Sequence, residues 1–447
     1  LLQKLSNDLN DYVRRAVAES LASFPPEKAL PLLEKLSNDS DWTVRRAVAE
    51  SLASFPPEKA LPLLEKLSND RYWEVRSTIA QILDKFLIKE ALPLLEKLSN
   101  DSHSLVSYAA AKTLTHFPYE VILFLLEKLP NNYDFRSALA KSLTSFPPEV
   151  ALPLLEKLSN DHYWQVRSTI PQILDKFPIK EALPLLEKLS NDPHYSVRRA
   201  VAKSLASFPP ETALPLLEKL STDPDCSVRS TAAESLASFP TEKALPLLEK
   251  LSADYHREVR RAAAETLCSF PPEVALPLLR NLLTDCESSV RLTITESLAS
   301  FPSEVALLLL EELSNDSDPS VLEAATKTFR SFPPEKTLPL LEKLSTNSSE
   351  YIRYAVAELL TSLPPKKALP LLENLSDDPS YYVRCAVAQS LASFPPKTAL
   401  SLLEKLSTDS DYRVREVVAK SLANFPPETA LPLLEKLSTD RDDYIRQ

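Results

Sequence analysis

The sequence predicts an all-α protein, a right-handed α-solenoid of about fourteen stacked two-helix repeats. Three observations predict it. A 31-residue repeat runs along the 447-residue chain, apolar residues recur within it at helical spacing, and proline punctuates a sequence that has no glycine.

The repeat is indexed on the valine of "TVRRAV". Anchors fall at Val13, Val44, Val75, Val106, Phe135, Val166, Val197, Val228, Val259, Val290, Val321, Ile352, Val383, Val414 and Ile445, every interval being 31 residues except 29 between Val106 and Phe135. The first helix of a unit is the stretch from Ala29 to Ser37, "ALPLLEKLS", with Pro31 expected in its first turn, where a missing N–H costs nothing. The second runs from about Asp41 to Ser54. Val44, Ala47, Val48, Leu52 and Phe55 give it one apolar face, and the Asn or Asp before it supplies a cap. "FPP" then stops it, because proline cannot continue a helix and restricts the residue ahead of it. Of 16 phenylalanines, 13 occupy the column of Phe24 and Phe55, the position of core plugs between repeats. A pair this short cannot bury its apolar face alone, so neighbours must stack.

Composition narrows the function. Hydrophobic residues make up 44% and charged residues 25%, the balance of a folded domain. The absence of glycine excludes the phosphate loop, the dinucleotide fingerprint and the nucleophile elbow, each of which needs glycine for close backbone approach or positive φ. No apolar run reaches membrane-span length, and no signal-peptide pattern opens the chain. Cys226, Cys268, Cys286 and Cys385 form no CxxC pair, which fits a reducing cytoplasm. The five histidines have no metal-ligand spacing, so neither a metal nor a cofactor is indicated, and no catalytic constellation is present.

The pattern "ALPLLEKLSND…VRRAVAESL" resembles the HEAT-like repeats of bacterial proteins, the short form also seen in the phycobilin lyase group, over the whole chain. The most specific element is an Asp five residues before the anchor and an Arg one after it, which the resemblance implies form a ladder. The Asp column runs from Asp8 to Asp440 and fails at Pro130 and Asn347. The Arg column runs from Arg14 to Arg446 and fails at Ser107 and Leu322. Each missing Asp lies one repeat after a missing Arg. The Arg of one repeat is therefore expected to pair with the Asp of the next, Arg45 with Asp70 and Arg76 with Asp101, since loss of one partner strands the other.

The array is expected to change curvature at an irregular joint near 119–135, where two residues are missing between helices. Segments 67–101 and 158–192 differ at four of 35 positions, which marks duplication of a three-repeat block. The chain opens inside a first helix, closes just after a second begins and has no methionine, so one array over 1–447 is expected to be part of a longer protein.

Two surfaces are candidates for function. The four positions between the ladder Asp and the anchor are the most variable. They hold all three tryptophans (Trp42, Trp73, Trp164) and 11 of 14 tyrosines, among them Tyr12, Tyr72, Tyr163 and Tyr195. Such an edge reads either as a recognition surface or as a row of staples onto the neighbouring repeat. The second candidate is the face of the second helix carrying Arg15, Arg46 and Arg199, basic near the start of the chain, which reads as a groove for an acidic peptide or as a solvated helix face. A protein partner is the expected one, and no small-molecule ligand is indicated. Chromophore handling is implied only by the resemblance. Nucleic-acid binding is disfavoured by a net charge of −11, and a plain structural spacer is the remaining alternative.

Overall fold

The Phe-Pro-Pro triplet both ends one helix and starts the next. Pro56 is extended (φ −55°, ψ 142°), and Pro57 is the first residue of the helix Pro57–Leu67, where its fixed φ is already helical. The first helix of the preceding repeat likewise spans Pro26–Leu36, three residues ahead of the expected start. This corrects the sequence expectation for Pro31, which lies inside the helix, in its second turn. It withholds a hydrogen bond from the Glu27 carbonyl, and both residues are exposed, so water can satisfy that carbonyl.

A computed structural model describes residues 1–118, 120–122 and 132–439. It divides into two compact units, Leu1–Ser235 and Leu236–Gln447. Both are built from the same repeat, an α-solenoid of helix pairs, and the described residues include no strand. Most of the irregular joint expected near 119–135 lies outside the described residues, as do Pro130, Asp440, Ile445 and Arg446.

The second helix is represented by Trp42–Leu52. Its apolar stripe is fully inside: Val44, Val48 and Leu52 are 0% exposed, as are Ala60 and Leu64 of the next first helix. Phe55 closes the layer at 5% exposure. Phe24, in the first repeat, departs from the expected column of plugs at 43%. Within each unit, successive second helices pack more closely on one another than the first helices do, which puts the second helices on the inner side of the curve.

Helix ends explain how the chain dispenses with glycine. No described residue has positive φ. The first helix finishes with Ser37 in the right-handed region. Its N–H bonds the Leu33 carbonyl, its hydroxyl bonds the Glu34 carbonyl at 2.7 Å, and Asn38 Nδ2 reaches the same carbonyl at 3.2 Å. Side chains thus supply what a left-handed glycine cap would.

Three rows of polar bonds join successive repeats. In the first, lysine of one first helix reaches the terminal serine of the previous one, as Lys66 to Ser37 (3.1 Å) and Lys97 to Ser68 (2.7 Å), a cation at a helix C-terminus. A buried hydroxyl on the second helix makes the second row. Ser51 donates to the Ala18 carbonyl at 2.7 Å and Thr113 to that of Ala80 at 2.8 Å, while in the other unit Ser390 donates to Ala357 at 2.8 Å.

The third row is the Arg–Asp ladder, and it runs from one repeat to the next. Arg45 places Nε 2.5 Å and Nη2 2.9 Å from the two carboxylate oxygens of Asp70, and Arg76 holds Asp101 in the same way at 2.6 and 2.9 Å. Arg14–Asp39 and Arg198–Asp223 repeat the fork in this unit, and Arg260–Asp285 and Arg384–Asp409 in the other. The remaining nitrogen, Nη1 of Arg45, turns back to the carbonyls of Asp39 (2.6 Å) and Ser40 (3.1 Å) in its own repeat. Where the arginine is absent, at Leu322, the next repeat carries Asn347 instead of Asp. Its amide donates back to the Ser314 carbonyl at 3.3 Å and to Asn315 at 3.0 Å. A carboxylate there would face no cation, whereas an amide can donate.

Candidate functional site

The ladder also builds the variable edge. Asp70 Oδ1 accepts the N–H of Tyr72 at 2.9 Å, and Asp101 that of His103 at 2.9 Å; these residues are the N-caps of their second helices. Each ladder carboxylate therefore fixes where the edge residue two positions on must sit. Where that residue is His103, His194 or His256, ring Nδ1 accepts the N–H two residues further along and caps the helix as an Asp would.

The edge aromatics at the first helical position stack forward onto the cap residue of the next repeat. Trp73 lies over His103 (centroids 4.7 Å apart, planes 2° apart), Trp164 over His194 (4.4 Å, 3°) and Trp42 over Tyr72 (6.2 Å, 27°). Tyr163 meets Tyr133 at 5.8 Å, and the guanidinium groups of Arg71 and Arg45 lie 4.8 and 5.5 Å from the Tyr72 ring centre. Trp42 and Trp73 are half-buried, each with one face spent on its neighbour, which is the stapling geometry. Trp164 keeps 37% exposure, Tyr195 43% and Tyr12 71%.

The second helices carry an inner stripe. It consists of the residue two before the anchor, the one two after it and the one six after it, each a helical turn apart. In the repeats anchored at Val166, Val197 and Val228, these positions line a cleft of about 600 Å³ that includes Trp164, Ser168, Gln172, Tyr195, Arg199, Lys203, Ser230 and Glu234. The charge balance along the stripe is uneven. Arg15 bonds Glu19 at 2.8 Å and Arg46 bonds Glu50 at 3.1 Å, so the face expected to be basic near the start of the chain neutralises itself. The other unit does the same, with Arg261 on Glu258 and Glu265, Lys327 on Glu323 and Lys420 on Glu416.

Between these lies a different stretch. Lys112, Lys141, Arg199 and Lys203 are exposed on the stripe and make no ion pair with any described residue. No stripe position from Trp73 to Lys203 is a carboxylate, and Tyr108 (48%), Tyr133 (43%), Trp164 and Tyr195 are exposed beside the cations. Asp134, in the adjoining column, sits in the first turn of its helix while Lys141 sits in the last. Of the residues singled out from sequence, the structure brings Trp164, Tyr195 and Arg199 together. Arg15 and Arg46 stand apart as self-paired charges. Lys112, Lys141 and Lys203 were missed, although matching the column two after the anchor with the column four further on would have found them.

Burial pushes the thiols of Cys268 and Cys385 up to about 11, so both stay protonated at neutral pH. No cluster of metal-ligating side chains occurs among the described residues. None of the described helices is long and apolar enough to cross a membrane.

The ladder carboxylates carry a pH signature. Burial raises the pKa values of Asp39, Asp70 and Asp101, but the arginine forks, the cap N–H groups and Coulombic attraction together outweigh it and hold them below the ordinary carboxylate value. Asp285 and Asp409 in the other unit behave alike. A depressed folded pKa gives stability that is complete above the unfolded value, about 3.9, and is lost as pH falls through the folded one. The urea midpoint is therefore expected to hold from pH 7 to 5 and to drop steeply below pH 4. A midpoint unchanged at pH 3 would show that the forks contribute nothing.

A solenoid of bonded helix pairs with its second helices inward defines a class of repeat protein, and the sequence agrees. The family model of HEAT repeats matches residues 1–84, 62–144, 182–267, 247–330, 306–378 and 368–447. The chain belongs to the HEAT-repeat family. No curated protein matches it. Solved structures with a similar course include the karyopherin Kap121p bound to the extreme C-terminus of the protein phosphatase Cdc14p (TM-score 0.43, 16% identity, 99% of this chain and 65% of that one). Kap95p, in a structure with RanGDP, matches with TM-score 0.39 and 13% identity over 98% of this chain and 75% of that one. An engineered protein matches with TM-score 0.28 and 19% identity over 95% of this chain and 97% of that one. The chain thus spans less than two thirds of the length of the Kap121p chain.

Proposed function

We propose that this HEAT-repeat chain recognises a protein partner along the inner stripe of the unit Leu1–Ser235. One observation carries the reading: across the second helices from Ser104 to Ser204, exposed cations stand among exposed aromatics with no stripe carboxylate, whereas inner-stripe arginines and lysines on either side are matched by glutamates. Unmatched guanidinium and ammonium groups beside Tyr and Trp are the composition of an interface centre. The cleft at Trp164–Glu234 is open and mostly polar, which suits a polypeptide better than an enclosed small molecule.

The test places a photo-crosslinking residue at Arg199 or Lys141 on the inner stripe, and at Lys28 on the outer helix row as control. Irradiation in lysate of the source organism is expected to give a discrete protein adduct from the inner positions and none from the control. Equal labelling of both faces would remove the proposal.

A further inference from the structure

Building on that reading, the geometry points to the chemistry of the partner: we infer that the stripe takes an extended acidic segment whose carboxylates recur every third residue. Three of the four cations share one column, six residues after the anchor. In successive repeats that column reads Lys112, Lys141, Gln172 and Lys203, each near the C-terminal end of its second helix. The second helices pack side by side, so neighbouring members of the column are about 10 Å apart. A polypeptide in the extended polyproline II form advances about 3.1 Å per residue with three residues per turn, so three residues cover the same step and return the side chain to the same face. A carboxylate at every third position therefore meets one repeat after another without slack.

The other columns fit the same occupant. The middle position holds Tyr108, Ser137, Ser168 and Arg199, and the leading position Ser104, Tyr133, Trp164 and Tyr195, so hydroxyls and ring faces flank the lysine row along its length. These groups can hydrogen-bond a peptide backbone and cover its intervening side chains. A nucleic-acid strand is a poorer match. The row spans about 30 Å, over which each strand of a duplex carries about nine phosphates against four cations.

The probes are two fluorescently labelled decapeptides of identical composition, one with aspartates at positions 1, 4, 7 and 10 and one with all four at positions 1 to 4, titrated against the full chain by anisotropy. A ten-nucleotide oligothymidylate is the third probe. The spaced peptide is expected to bind about tenfold tighter than the clustered one at low salt. That preference is expected to vanish in the triple variant Lys112→Gln, Lys141→Gln, Lys203→Gln, whose exposed substitutions leave the melting temperature unchanged. Equal affinity for both peptides, no binding of either, or tighter binding of the oligonucleotide would overturn the inference. If crosslinking still gives a protein adduct on the inner stripe in the first two cases, the recognition reading stands and only the spacing rule falls.

Discussion

Replacing Arg45 by Leu is expected to destabilise the chain by about 3 kcal/mol, and adding Asp70→Asn is expected to recover a substantial part of that loss. The single change removes a guanidinium that is 7% exposed, its fork on Asp70 and its bonds to the carbonyls of Asp39 and Ser40. It leaves the Asp70 carboxylate nearly buried with only the Tyr72 N–H to satisfy it. Stranding one member of such a pair costs more than the pair is worth. The double variant copies the arrangement at Leu322 and Asn347, where an amide donates in place of the missing cation. Denaturant midpoints of the three proteins, with hydrogen exchange on the loops at 39–41 and 70–72, check this. A double variant as unstable as the sum of its two singles would show that the Leu–Asn joint has no compensating value.

The second large effect concerns the phenylalanine column. Phe55→Ala empties a site that is 95% covered and is expected to cost about 3–5 kcal/mol, whereas Phe24→Ala, at 43% exposure, is expected to cost less than about 1 kcal/mol. Melting curves separate the two. Similar losses would mean that Phe24 is packed in solution by something beyond Leu2–Leu5.

The contrast marks what a sequence of this kind reveals. Repeat length, helix pairing and the stacked core were legible because the same side chains return every 31 residues. The link from Arg45 to Asp70 was legible because the two exceptions, at Ser107 and Leu322, each lose the partner one repeat onward. Context broke the column logic elsewhere. Phe24 looks like its equivalents in sequence but is 43% exposed. Pro31 reads as a first-turn residue only if Pro26 is taken for a stop and not a start.

On the inner face the pairing of charges is likewise set by the fold. Arg15 and Arg46 stand out as basic until their glutamates four residues on are counted, and the stripe that remains uncompensated consists of residues unremarkable one at a time. The aromatic edge hid its partner in the next repeat. Trp73 meets His103 across an interval that only the fold closes.

The three bonded rows set a rule for how such a chain can change length. Most of the described repeats offer the next one the same guanidinium and offer the previous one the same carboxylate, and in several a hydroxyl also reaches a backbone carbonyl of the repeat before. A duplication of whole repeats therefore recreates each joint it interrupts, as with the near-identical segments 67–101 and 158–192. An insertion of any other length inside a helix puts the arginine of that repeat opposite no acid and breaks the joints beside it unless a loop absorbs the difference, whereas repeats further on keep their own spacing, as Arg136 keeps Asp161 beyond the 29-residue interval. The spacing of the polar rows acts as a proofreading gauge for recombination, admitting length changes in whole units while the inner stripe is free to diverge.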